Sequence, residues 1–203
     1  MCERFMLNAD VSELIEQFRI DHVLSYQKGQ EMTPVGSVFA IVANGEERLL
    51  DEFRWGLMPF WASDSICADG HSIGSKPVYD RMIRKQRCVI PCSAFYGKPA
   101  PAERKSKRQE VAAPCFASED GKAFGLAGLY EVWHSHSGGE LRACTLLTFP
   151  DSRGASGQRM PVVLSERDVE EWLNPRMTDK AVVQAYISPA YPEQFVPRVR
   201  MVH

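Results

Sequence analysis

Apolar residues near the start of the chain recur at the spacing of an amphipathic helix. One apolar face is formed at positions i, i+3, i+4 and i+7 by Val11, Leu14, Ile15 and Phe18. The segment Asp10-Val-Ser-Glu13 has the form of a capping box, in which two side chains satisfy the first backbone N–H groups. We therefore predict a helix that begins after Asp10.

Strand-like runs dominate the middle of the chain. Residues 35–42 and 49–57 are two such runs joined across Asn44-Gly45, a dipeptide that tolerates the positive φ angles of a hairpin turn. Further strands are predicted at residues 88–90, where Pro91 is expected to end the strand, and at 115–117, 123–133, 141–149 and 160–164.

Shorter helices are predicted between and after the strands. Residues 79–87 form an amphipathic pattern with Arg81, Arg84, Lys85 and Arg87 on its outer face. Ser165 is predicted to cap a helix that buries Val169, Trp172 and Leu173, and another helix is expected at 179–187.

These elements predict an α+β fold. Strands outweigh helices and do not alternate with them one to one, which disfavours a doubly wound parallel sheet. At 203 residues we expect a single domain, 1–203, with a mainly antiparallel, barrel-like β core and peripheral helices.

Composition limits the function classes. A formal net charge of -2 excludes a globally basic nucleic-acid binder, so any such contact is local. The loop 98–110 carries Arg104, Lys105, Lys107 and Arg108 and is either solvated surface or a strand contact. No membrane-spanning or secretory run occurs, which favours the cytoplasm. We expect no cofactor and no metal, since the six cysteines lack zinc-ligand spacing.

Cys2 directly follows the initiator methionine. Removal of Met1 leaves an α-amine with a pKa of roughly 8 beside a thiol with a pKa of about 8.5. Such an aminothiol can capture an aldehyde as a Schiff base and close it into a thiazolidine, or attack an amide with the amine as general base. The alternative is that Cys2 is a small apolar residue at the start of a strand.

Several short motifs occur in order along the chain. They are Met1-Cys2-Glu-Arg4-Phe5, Phe53-Arg-Trp55-Gly-Leu-Met-Pro-Phe-Trp61, Arg87-Cys-Val-Ile-Pro91 followed by Phe95-Tyr96, Leu126-Ala-Gly-Leu-Tyr-Glu131, and Arg159-Met-Pro-Val-Val-Leu164. Together they resemble the SRAP family, the SOS-response-associated peptidase domain. The resemblance implies recognition of abasic sites in single-stranded DNA, with thiazolidine capture of the sugar aldehyde on Cys2.

The resemblance also implies roles for other residues. Arg4 would contact a backbone phosphate, and Pro34 and Trp55 would wedge against the bases that flank the lesion, although Trp55 is equally well explained as a core residue. Arg159 would either face the DNA or brace the site. The implied partner is single-stranded DNA with abasic sites, bound by a monomer in the cytoplasm in association with the nucleoid.

The chain departs from the family pattern at the proton-transfer positions. Cys67 and Asp69 stand where the family motif has asparagine and arginine, and Gly97 and Gly157 replace its glutamate and histidine. We therefore expect slow or impaired capture, because such groups typically contribute about 10²–10⁴-fold each. His71 and Glu131 are possible substitute proton-transfer groups.

Three functions remain open from the sequence. The first is covalent capture of abasic sites by Cys2. The second is an N-terminal cysteine peptidase or amidohydrolase, which would need an oxyanion site that the sequence does not identify. The third is a catalytically degenerate module that binds single-stranded DNA without covalent chemistry.

Overall fold

The first helix and the hairpin that the sequence predicts both occur in the structure. The computed structural model describes residues 4–58, 64–97, 115–135, 138–150, 159–187 and 199–202. Helix α1, Val11–Phe18, begins with a capping box between Asp10 and Glu13, as predicted. The hairpin is also confirmed, and its turn places Gly45 at a φ of 66°.

The elements follow one another along the chain with strands in the majority. The helices after α1 are α2 Pro77–Lys85, α3 Glu166–Leu173 and α4 Lys180–Tyr186, with a 3-10 turn at Ile73–Ser75. The strands are β1 Arg4–Leu7, β2 His22–Val23, β3 Gln30–Met32, β4 Ser37–Asn44, β5 Glu47–Trp55, β6 Cys67–Asp69, β7 Arg87–Cys92, β8 Ala94–Tyr96, β9 Cys115–Ser118, β10 Phe124–His134, β11 Glu140–Pro150, β12 Arg159–Pro161, β13 Val163–Leu164 and β14 Val199–Val202.

A closed barrel forms the centre of the molecule. Strands β11, β10, β7, β4 and β5 are neighbours in that order through antiparallel pairs. The ring closes where β5 pairs in parallel with β11, with Trp55 opposite Cys144. Closure removes the exposed edges that an open sheet would present. The predicted α+β fold with a barrel-like, mainly antiparallel core is therefore confirmed.

A second sheet carries the start of the chain. Its order is β14, β9, β8, β1 and β3, so that β1 is an interior strand between β8 and β3. The rings of Phe5 on β1 and Trp55 on β5 lie 4.9 Å apart, and both side chains are fully buried. This contact packs the first strand against the barrel.

Two strand predictions need correction. Pro91 does not end its strand, because β7 continues to Cys92 and Pro91 pairs with Gly125 of β10. On the other side of β7, the pairing with β4 extends only as far as Val89. The missing N–H of Pro91 therefore interrupts no backbone hydrogen bonding between β7 and β4. The run 160–164 is two short strands, β12 and β13, that pair with different partners.

The basic face predicted for residues 79–87 is also partly wrong. The side chain of Arg87 is buried and donates to the carbonyl oxygens of Ile83, Trp172 and Asn174 at 2.6 to 2.7 Å. A guanidinium can satisfy several carbonyls at once, so Arg87 joins α2 to the end of α3 instead of facing solvent. None of the described helices has the length and apolar character needed to cross a membrane.

Candidate functional site

The head of β1 places Arg4 between an acid and an aromatic ring. Its Nη1 lies 3.2 Å from Oε1 of Glu31, and its guanidinium carbon lies 4.2 Å from the centre of the Tyr96 ring. The Arg4 side chain nevertheless keeps 43% of its surface exposed. The ring face and the carboxylate orient the guanidinium while leaving part of it accessible to an anion.

Tyr96 links Arg4 to the neighbouring strand β9. It stands opposite Arg4 on one side and opposite Cys115 on the other. Burial raises the pKa of Tyr96 above its usual value, and the Cys115 thiol raises it further, so the phenol stays neutral near pH 7. Gly97 follows directly and is buried. The position at which the family resemblance implies a glutamate thus lies immediately beyond the Arg4–Tyr96 pair.

A tight turn at Thr33–Gly36 follows β3 and lies beside the start of β1. The N–H of Gly36 donates to the carbonyl of Thr33 at 3.0 Å. Pro34 is half-buried within the turn, and Val35 is 47% exposed. Two backbone bonds tie the turn to β5, from Val35 N to Trp55 O at 2.9 Å and from Trp55 N to Gly36 O at 2.8 Å.

Trp55 lies in the core, which is the second of the two interpretations that the sequence left open. Its side chain has no exposed surface, and its Nε1 donates to the carbonyl of Ile66 at 2.9 Å. An indole enclosed in this way has no face for an incoming base. The expectation that Trp55 itself stacks on DNA is therefore corrected: Trp55 supports the Thr33–Gly36 turn from beneath.

Arg159 braces a cluster on the edge of β11. Its Nη2 lies 2.6 Å from Oδ1 of Asp69 and 2.9 Å from the carbonyl of Thr148, and its Nε donates to Thr148 Oγ1 at 2.9 Å. These are bracing contacts, and the role of Arg159 in facing DNA stays a prediction. The pair is only partly covered, with side-chain exposures of 27% for Arg159 and 34% for Asp69.

The ion pair changes the acidity of Asp69. Partial burial raises its pKa, but the hydrogen bond from Arg159, the N–H of His71 and the Arg159 charge together outweigh burial. The net result is an Asp69 pKa below the usual aspartate value, so the carboxylate stays ionised and neutralises Arg159. Cys67, two residues earlier on β6, is buried against β11.

The two possible substitute proton-transfer groups are held in different ways. The His71 ring is exposed and meets the Phe149 ring edge-on at 4.9 Å. Glu131 is half-buried, and its Oε1 accepts the backbone N–H of Met58 at 2.5 Å. Glu131 therefore fixes the chain where it leaves β5, which is a structural role for this carboxylate.

Several predicted site residues lie outside the described part of the chain. They are Cys2, Gly157 and the basic cluster Arg104–Arg108. Within the described part, Arg4, Pro34 and Trp55 come together through β1, the turn and β5, whereas Arg159 and His71 gather around Asp69. Sequence reasoning missed Glu31, because its contact with Arg4 depends on strand register, which no motif encodes.

Comparison with known proteins identifies the family. The model of the SOS response associated peptidase (SRAP) family matches residues 1–200. The chain belongs to this family. A relative named abasic site processing protein YoqW, from Bacillus subtilis (strain 168), is 32% identical over 201 residues, covering 93% of this chain and 87% of the relative.

A more distant relative has a similar name, and solved structures share the fold. The abasic site processing protein HMCES of Gallus gallus is 25% identical over 158 residues, covering 65% of this chain and 47% of HMCES. A crystal structure of a protein from Bordetella bronchiseptica has a TM-score of 0.77 at 20% identity, covering 100% of both chains. Another, from Bacteroides thetaiotaomicron, has a TM-score of 0.78 at 20% identity, covering 100% of this chain and 92% of the other. These structures support the fold alone.

Proposed function

We propose that this protein recognises abasic sites in single-stranded DNA and captures the ring-opened sugar aldehyde on Cys2 after Met1 is removed. The match to the SRAP family over residues 1–200 and relatives named abasic site processing proteins support the abasic-site assignment. The observation that carries the proposal is Arg4, two residues after Cys2, oriented by Glu31 and Tyr96 and still 43% exposed. It places a phosphate-binding group next to the nucleophile in the chain. We propose that the protein acts as a monomer in the cytoplasm, in association with the nucleoid.

The proposed reaction needs no oxidant or cofactor. The α-amine of Cys2 adds to the aldehyde carbon, and loss of one water gives a Schiff base. The thiol sulfur then adds to the same carbon while its proton moves to the nitrogen, which closes a five-membered thiazolidine. The adduct therefore weighs the sum of protein and DNA less one water.

The rate of this reaction is expected to be low. Gly97 offers no proton at the position where the family resemblance implies a glutamate, and Gly157 offers none where it implies a histidine. A general acid or base typically contributes about 10²–10⁴-fold. We propose that the aminothiol provides most of the remaining reactivity, since both of its groups have pKa values within roughly 1.5 units of neutrality.

Intact-mass analysis with an abasic single-stranded oligonucleotide tests the proposal. We expect the purified chain to lack Met1 and to form a slowly accumulating adduct at the dehydrated mass. Cys2→Ala should form no thiazolidine adduct while binding intact single-stranded DNA as the wild type does. A mature chain that retains Met1, or an adduct of equal yield in Cys2→Ala, would overturn capture by Cys2.

A non-covalent single-stranded-DNA-binding module is the second candidate. The glycine at position 97 favours it, because it removes an acid from the position at which the family resemblance implies a proton-transfer group. This candidate predicts salt-dependent DNA binding that is unaffected by Cys2→Ala and is accompanied by no adduct. The same mass and binding measurements therefore separate the two candidates.

A further inference from the structure

A carboxylate lies beside the head of β1, on the side of the neighbouring strand β3. The strand β1 is flanked by β8 and β3. Gly97, at which the family resemblance implies a glutamate, directly follows β8, whereas Glu31 belongs to β3. Oε1 of Glu31 lies 3.2 Å from Nη1 of Arg4. The chain thus has a glycine on the β8 side of β1 and a carboxylate on the β3 side.

Strand register places Glu31 on the same face of the sheet as Arg4. Glu31 stands opposite Met6, and Arg4 stands opposite Tyr96. Residues two apart along a strand share a face, and so do residues directly opposite each other on neighbouring strands. These four side chains therefore lie on the face away from Phe5, which is fully buried. Arg4 is two residues from the proposed nucleophile in the sequence, so this face is the one nearest to it along the chain.

The Glu31 side chain is held in place without being enclosed. Arg4 contacts one carboxylate oxygen, and 46% of the side chain remains exposed. The second oxygen, Oε2, has no hydrogen-bond partner among the described residues. A carboxylate anchored through one oxygen can accept and return a proton at the other without breaking its contact with Arg4.

The two substitute groups that the sequence suggests lie on other elements. Glu131 is on β10 and accepts the N–H of Met58, and His71 belongs to the cluster around Asp69. Neither residue is part of β1 or of the two strands that flank it. Glu31 is the one carboxylate within β1, β3 and β8. Position in the sheet therefore favours Glu31 over both of them.

We infer that Glu31 is the catalytic proton-transfer group for Schiff-base formation in this protein. Formation of the Schiff base moves two protons from the amine nitrogen of Cys2 to the aldehyde oxygen, which leaves as water. The Glu31 carboxylate accepts each proton from the nitrogen and returns it to the oxygen, so it ends in the ionised state in which it began. This inference rests on the proposed function and adds to it the acid–base group that position 97 does not supply.

Glu31→Gln tests this role, because the amide keeps the size of the side chain and an oxygen that can accept from Arg4 but does not carry the proton. Adduct formation is followed over time by intact mass, with an abasic single-stranded oligonucleotide at saturating concentration so that binding does not limit the rate. We expect the rate to fall by about 10²-fold, the lower end of the range for general acid–base catalysis.

Affinity is measured separately by fluorescence anisotropy. The probe is a single-stranded oligonucleotide with a tetrahydrofuran analogue of the abasic site, which cannot react with Cys2. Glu31→Gln should bind this probe at least as tightly as the wild type, because the substitution removes a negative charge beside Arg4. Slower capture without weaker binding distinguishes a catalytic group from one that only occupies Arg4, since the latter predicts capture at least as fast as in the wild type.

Glu46→Gln is the matched control, since it removes one carboxylate from an exposed pair with Arg176 and should leave both rate and affinity unchanged. Equal rates of wild type and Glu31→Gln at saturating DNA, or an equal fall in Glu46→Gln, would overturn the inference alone. Failure of the wild type to form an adduct that depends on Cys2 would instead overturn the proposed function, and the inference with it.

Discussion

At the scale of single residues, we expect the charge on Asp69 to limit how much of Arg159 a DNA phosphate could reach. The carboxylate occupies the guanidinium at 2.6 Å, as a phosphate oxygen would in a complex. An internal anion of this kind competes with the ligand for the same donor. Under the proposed function, the DNA affinity would therefore depend partly on a contact within the protein.

Asp69→Asn removes the competing charge and keeps the size of the side chain. We expect tighter binding to single-stranded DNA and a plot of log affinity against log salt that is steeper by about 0.7, the value for one more phosphate contact on a single strand. The measurement is a titration at several salt concentrations. Glu46→Gln is the control, because it removes one charge from an exposed pair with Arg176 elsewhere on the surface. An equal gain in Glu46→Gln would mean that only net charge matters.

The same variant also has a pH signature. The Asp69 pKa is lowered in the folded state, so the ion pair contributes stability above the usual aspartate pKa of roughly 3.9. That contribution is lost as the pH falls through the folded-state pKa. The difference in thermal midpoint between wild type and Asp69→Asn should thus shrink in acid, and a difference that stays constant with pH would contradict the pairing.

Gly97 occupies the position at which the family resemblance implies a glutamate. It follows Tyr96, which stands opposite Arg4 at the head of β1. Gly97→Glu should raise the rate of thiazolidine formation by about 10²-fold, the lower end of the range for general acid–base catalysis. Gly97→Gln is the matched control, since it has the same size but no titratable proton. Gel quantification of adduct over time would contradict the role if the two variants reacted equally fast.

At the scale of elements, the parts of the fold that follow from local chemistry are predictable from the sequence. The capping box of α1, the Asn44-Gly45 turn and the Ser165 cap of α3 each depend on neighbouring residues, and each occurs as predicted. Val169, Trp172 and Leu173 are buried as their spacing predicts. The local sequence pattern is sufficient to predict an element wherever the two interacting residues are only a few positions apart in the sequence.

Elements that depend on partners far away in the sequence cannot be predicted from the local sequence pattern. The strand β6 is only three residues long and exists because β11 offers it a parallel partner, with Cys67 opposite Leu146. Pro91 continues its strand because β4 no longer pairs there. The burial of Trp55 and the contact of Arg4 with Glu31 likewise depend on register, which the motifs do not specify.

The candidate site follows the same division. Family motifs locate Arg4, Pro34 and Arg159 in the sequence, but only the tertiary structure brings Arg159 against Asp69 and Arg4 against Glu31. Sequence comparison describes Asp69 as the loss of a cation. The structure adds that the Asp69 carboxylate also forms an ion pair with a second cation, Arg159.

At the scale of the whole molecule, barrel and helices share one core. Trp172 on α3 donates to the carbonyl of Cys88 on β7 at 2.9 Å. Arg87, the neighbour of Cys88, binds the carbonyls of Trp172 and Ile83 at 2.7 and 2.6 Å, which joins α3, β7 and α2. Trp55 and Trp172 belong to the same buried hydrophobic cluster. Separation of the helices from the barrel would leave several buried carbonyls without donors, which is costly.

We therefore predict that residues 1–203 unfold as one cooperative unit. In a chain whose other two tryptophans, Trp61 and Trp133, are replaced by phenylalanine, Trp55→Phe leaves only the signal of Trp172 on α3, and Trp172→Phe leaves only that of Trp55 on the barrel. Each substitution loses an indole N–H bond, to Ile66 or to Cys88, and should lower stability by about 1–3 kcal/mol. Within each variant, the urea midpoint from fluorescence should coincide with that from circular dichroism. Two separate midpoints in either variant would show that the helical layer unfolds apart from the barrel, and would contradict a single domain.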